Sequence, residues 1–181
     1  MAKPSIGDVL NEDAAFARLP VIVVGLGNPV LGDDGVGWRV ADEVERRLLA
    51  CSSPGGLESN VLIERLGVGG IRLMETISGF GAAILIDAAE FPGQAPGDVR
   101  SWTLAELPDR GVGHLDSAHD ASLRTALLLG NRLGAAIPER IDVVTIQARS
   151  TDVFGEELSP EVAAAVPAAT EAVLDLLSKG R

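Results

Sequence analysis

The stretch Val21-Ile-Val-Val-Gly-Leu-Gly-Asn-Pro-Val-Leu-Gly-Asp-Asp-Gly-Val-Gly37 constrains the fold most. Its opening run is apolar on both faces, which suits a strand buried in a sheet that helices cover on each side. The glycine-rich turn that follows carries two adjacent acids and leads straight into a helical pattern. Val36, Val40, Val44 and Leu48 fall on one face of that helix, while Asp42, Glu43, Arg46 and Arg47 face away, predicting a helix from Gly35 to Leu49. A strand that turns sharply into an amphipathic helix is the building unit of an α/β sheet.

The pattern recurs downstream. Segments 21–25, 61–66, 83–87, 99–104 and 141–147 read as strands, with helices between them over 70–78, from 117–120 to 129, and after Ser159-Pro160-Glu161. The serine is an expected N-cap and the proline suits the first helical position. Val162, Val166, Ala169, Val173 and Leu176 form the apolar stripe of this last helix. The fold class follows as α/β, a three-layer α/β/α sandwich with a mostly parallel, about five-stranded central sheet. Segment 99–104 is more polar and follows a Pro/Gly-rich loop, so it is expected at an edge. Residues 1–19 lack periodicity and read as a mobile or loosely docked extension, leaving 20–181 as one domain.

Composition narrows the partners. The 181 residues include 26 acids and 15 bases, a formal charge of -11 that opposes binding to a polyanion, so nucleic acid is an unfavoured partner. Only 3% of residues are aromatic and none is tyrosine, which removes the stacking platforms for bases. A single cysteine, Cys51, cannot close an internal bridge and fits a reducing compartment. No apolar run approaches the roughly 20 residues of a membrane span, and the start lacks a signal-peptide pattern. A cytoplasmic location without membrane contact is the expectation.

In an open α/β sheet, ligands bind beyond the carboxyl ends of the strands. The polar residues expected there are Asp33 and Asp34 after the first strand and Asp87 closing the third. The adjacent acids are expected to face solvent and each other, and their repulsion raises one pKa unless a cation or shared proton relieves it. Only two histidines occur, His114 and His119, the latter where a helix begins. Two carboxylates and an imidazole form a ligand set suited to a first-row divalent ion. Each residue also has an ordinary role: Asp33 as a helix cap, Asp87 as a loop residue, His119 as a surface or capping group. Gly25, Gly27, Gly32, Gly35 and Gly37 allow tight turns and positive φ around the acids. Half of a dinucleotide fingerprint is present in Gly25-Leu-Gly27, but the acids that follow stand where a pyrophosphate would lie. Trp38, Trp102, Phe80 and Phe91 read as packing residues, and Glu64, Arg65 and Arg72 as either site or surface charges.

Taken together, Gly25-Leu-Gly-Asn-Pro-Val-Leu-Gly-Asp-Asp-Gly-Val-Gly37, Ile86-Asp87-Ala88, Ser117-Ala-His119 and Leu158-Ser-Pro-Glu-Val162 resemble the hydrogenase maturation endopeptidases. The resemblance implies removal of a carboxy-terminal extension from a nickel-iron hydrogenase large-subunit precursor after nickel insertion. It implies Asp34, Asp87 and His119 as the metal-contacting and catalytic positions, with nickel supplied by the precursor and not permanently bound. Two departures stand out: Glu64-Arg-Leu-Gly-Val-Gly-Gly70 replaces the family's aspartate-glycine-threonine turn, and Gln147-Ala-Arg-Ser-Thr-Asp lacks a glutamate often found there. They keep open a catalytically silent, nickel-dependent module that binds a hydrogenase subunit. A further alternative is peptidyl-tRNA hydrolase, which shares a Val-Gly-Leu-Gly-Asn-Pro opening, but the following Val-Leu-Gly-Asp-Asp and the acidic charge oppose it.

Overall fold

Five strands and four helices follow one another in a computed structural model that describes residues 20–50, 60–67, 69–108 and 123–179. In chain order they are β1 (Val21–Leu26), α1 (Val36–Ala50), β2 (Val61–Leu66), α2 (Gly70–Ile77), β3 (Ala82–Ala89), β4 (Val99–Thr103), α3 (Leu123–Arg132), β5 (Arg140–Gln147) and α4 (Pro160–Lys179). A 3-10 turn, Gly32–Gly35, leads into α1. The strands form one sheet in the order β2-β1-β3-β5-β4, parallel except for β4, which runs antiparallel to β5 at the edge. Segments 1–19 and the expected opening of α3 at 117–120 lie outside the described residues.

The sheet has a core on each side because β1, β3 and β5 are apolar on both faces. On one side Ile22, Val24, Leu85 and Val143 pack with Leu73 and Ile77 of α2 and Leu123 and Ala126 of α3. On the other, Val23, Ile84, Ile86 and Val144 pack with Val40 and Val44 of α1 and Ala169 and Val173 of α4. The α4 stripe is centred slightly differently from the expectation. Ala165 and Leu177 are buried with Val162, Ala169 and Val173, while Val166 and Leu176 are half-buried flanks. A 3.6-residue period rotates slowly against the apolar spacing, so the small Ala165 takes the close approach.

β3 also runs further than expected. Asp87 does not close the strand, because β5 continues alongside it and pairs Asp87 with Thr145, Ala88 with Ile146 and Ala89 with Gln147. The aromatic residues pack as anticipated: Phe91 meets Trp102 edge to face at 5.9 Å, and the Trp102 indole donates to Thr145 Oγ1 at 2.9 Å. No described helix is long and apolar enough to cross a membrane.

Candidate active site

The strand order fixes where a ligand can approach. From β1 the chain crosses to β2 on one side, while β3 lies on the other, and the helices that make these crossings, α1 and α2, cover opposite faces. The switch point therefore falls between the carboxyl ends of β1 and β3. Asp34, in the turn after β1, and Asp87, near the end of β3, both lie at this mouth. The 3-10 turn carrying Asp34 contacts β3 directly.

Glycines make that approach possible in two different ways. Of the five glycines around the acids, Gly27 (φ 126°) and Gly32 (φ 55°) take the expected positive φ, while Gly25, Gly35 and Gly37 do not. Instead, a Cβ on Gly37 would sit 2.2 Å from the Leu26 carbonyl oxygen and 2.6 Å from that of Ile86. The missing side chain thus lets the start of α1 lie against β1 and β3 at once, which brings the acidic turn beside Asp87's strand.

The two adjacent acids divide their tasks. Both are buried, 4% exposed, and not turned to solvent as expected. Successive residues of a 3-10 turn project about 120° apart, so the carboxylates leave the backbone in different directions. Asp33 accepts hydrogen bonds from the Arg149 N–H at 3.0 Å, the Ser159 N–H at 2.6 Å and the Ser159 hydroxyl at 2.9 Å. It caps a helix, but α4 and not α1. The N-cap serine of α4 gives its hydroxyl to Asp33, and the carboxylate takes the backbone N–H that a capping box would satisfy from within the helix. Asp34 Oδ2 instead accepts from the Asn28 N–H at 2.7 Å, across the turn that joins β1 to α1. Asn28 folds that turn by accepting the Val30 N–H on its side-chain oxygen.

Asp87 is fully buried among apolar strand residues. A carboxylate at such a depth is costly unless hydrogen bonds or a cation compensate it. His114 and His119 lie outside the described residues, as does Cys51. Among the described residues, no group of three or more histidine, cysteine, aspartate or glutamate side chains could hold a metal ion. Asp33 thus does not supply a third ligand to Asp34 and Asp87.

Other charges resolve into scaffolding. Arg65 spans to Asp42 at 2.7 Å and Glu45 at 2.6 Å, tying β2 to α1, and is a structural residue. The Trp38 indole donates to the Leu66 carbonyl at 3.3 Å on the same flank. Beyond β3, Glu90 accepts the Thr151 N–H at 2.9 Å and its hydroxyl at 2.7 Å. Gln147 Oε1 takes the Phe91 N–H at 2.9 Å. Glu90 and Gln147 were not anticipated as positioning residues; an acid three places after Asp87 at a strand end was the available signal.

A cavity of about 680 Å³ opens at the opposite end of the sheet, lined by Thr103, Arg124, Arg140 and Asp142 among others. There burial pushes the Asp142 carboxyl above its ordinary range, against the pull of Arg140, whose Nε lies 2.9 Å away. None of the sequence-predicted site residues lines it.

Comparison with known proteins bears on the family and the fold. Residues 19–176 match the family model described as hydrogenase maturation protease. The hydrogenase expression/formation protein HupD of Thiocapsa roseopersicina is 25% identical over 159 residues, covering 88% of this chain and 68% of its own. Among solved structures, the [NiFe] hydrogenase maturation protease HybD from Thermococcus kodakarensis superposes with a TM-score of 0.64 at 29% identity, covering 88% of this chain and 99% of that one. The hydrogenase maturating endopeptidase HybD from E. coli shares the fold with a TM-score of 0.69 at 22% identity, over 90% of this chain and 94% of that one.

Proposed function

This chain belongs to the hydrogenase maturation protease family, and from that premise we propose that it removes the carboxy-terminal extension of a nickel-iron hydrogenase large-subunit precursor. The observation that carries the proposal is the pair of buried carboxylates, Asp34 and Asp87, at the switch point between β1 and β3. In this reading they supply oxygen donors and His119 a nitrogen donor to the nickel that the precursor brings with it. Two carboxylates and an imidazole are donors a first-row divalent ion accepts, and an incomplete set leaves positions for the precursor's own ligands.

Recognition and cleavage are then coupled by geometry. A precursor lacking nickel has nothing to anchor it against the carboxylates, so its extension is not held for attack. With nickel in place the scissile bond is fixed beside the mouth, and positioning of this kind lowers the barrier by removing the cost of orientation. Cleavage is a hydrolysis: water oxygen bonds to the carbonyl carbon, the carbon–nitrogen bond breaks, and a proton passes to the leaving amine. A carboxylate at the mouth receives the proton that water gives up.

The test is incubation with a purified large-subunit precursor, with and without nickel, followed by intact-mass measurement. Loss of the carboxy-terminal extension from the nickel-loaded form alone is expected. Tight binding without shortening would replace the proposal with a silent binding module.

A further inference from the structure

The loop between β5 and α4 is held at four places, yet its tip is one of the most exposed apolar points among the described residues. Asp33 fixes its two ends at Arg149 and Ser159, Glu90 fixes Thr151, and Gly155 exchanges backbone hydrogen bonds with the first loop: Gly155 N–H to Val30 O at 3.0 Å and Gly32 N–H to Gly155 O at 2.6 Å. Between these anchors stand Val153, 61% exposed, and Phe154, 82% exposed, with Val30 beside their anchor in the loop that carries Asp34. An aromatic side chain left in water at the tip of a tethered loop contributes nothing to the core. Its backbone is already ordered, so a partner that covers it meets little ordering cost.

The surroundings define the partner's chemistry. Asp152, Glu156 and Glu157 are exposed around the tip, Arg149 is paired with Glu161, and Arg39, which donates to the Glu156 carbonyl, is a single positive charge set against three negative ones. The patch is apolar at its centre and acidic at its rim. We infer that Val30, Val153 and Phe154 form the docking surface for the precursor itself, receiving an apolar side chain flanked by lysine or arginine, next to the bond that is cut. The inference rests on the proposed function, since the patch adjoins the Asp34 turn through the Leu31–Gly155 bridge. An aromatic anchor with a predominantly acidic rim gives both affinity and a salt-dependent encounter.

Phe154→Ala tests it in steady-state removal of the extension from nickel-loaded precursor. KM is expected to rise about tenfold with kcat and thermal midpoint unchanged, the scale of an exposed aromatic anchor. Glu156→Gln with Glu157→Gln is expected to flatten the rise of KM with salt. A KM within about twofold of the unsubstituted protein overturns the inference, as does a change in self-association of the free protein in place of a change in KM. If the unsubstituted protein does not shorten the precursor, the proposed chemistry fails separately, and titration of precursor decides the docking surface. Weaker binding by Phe154→Ala then supports it, and equal binding overturns it.

Discussion

Asp33 and Asp34 are neighbours with the same side chain, and their surroundings give them opposite expectations. Asp33 gathers three donors from two segments that lie 116 and 126 positions away along the chain. Hydrogen bonds to a charged acceptor contribute about 1.5–3 kcal/mol each, so Asp33→Asn, which turns a donor toward donors, is expected to lose about 2–4 kcal/mol in urea denaturation. Asp34→Asn keeps an oxygen for the Asn28 N–H and is expected to cost less than about 1.5 kcal/mol. The adjacent pair was legible in the sequence as a turn between a strand and a helix, but its division of labour was not. Nothing local to residue 33 announces Arg149 or Ser159, because tertiary folding alone brings them to it.

At the level of elements, the position of α1 depends on what Gly37 lacks. Any side chain there meets two backbone carbonyls, neither of which can rotate away. Gly37→Ala is therefore expected to cost about 3 kcal/mol, measured by chemical denaturation, and to lower processing by moving the acidic turn from β3. The outer face of α1 supplies a pH dependence. The hydrogen bond from Arg46, together with Arg47, draws the Glu43 carboxyl from its ordinary 4.5 down to about 2, and Arg47 reaches on to Glu171 of α4 at 3.0 Å. A carboxylate with a depressed folded pKa stabilises fully above its unfolded value and loses that contribution as pH falls through the folded one. The stability difference between the unsubstituted protein and Glu43→Gln should thus be complete above about pH 5 and close toward pH 2, and it should shrink with added salt. Within α4, Pro167 has no N–H to donate to the carbonyl four residues back and its side chain is exposed. Pro167→Ala is expected to raise stability by about 1–3 kcal/mol in the same assay.

For the molecule as a whole, the centre of the sheet was legible because β1, β3 and β5 are apolar on both faces, a pattern that suits burial between two helical layers. The polar 99–104 segment announced an edge for the complementary reason, and β4 occupies it. Strand order was not legible, since a parallel pair leaves no mark of its neighbour in a single chain. Order nevertheless decides the site: β1 beside β3 puts Asp34 and Asp87 at one mouth, and another order would part them. In the proposed function these carboxylates grip the nickel of a hydrogenase precursor. The most direct measurement is the rate at which Asp34→Asn, with its fold verified by thermal melting, releases the extension from nickel-loaded precursor. A loss of about 100-fold or more is expected; release at the unsubstituted rate would show that Asp34 does not hold the nickel.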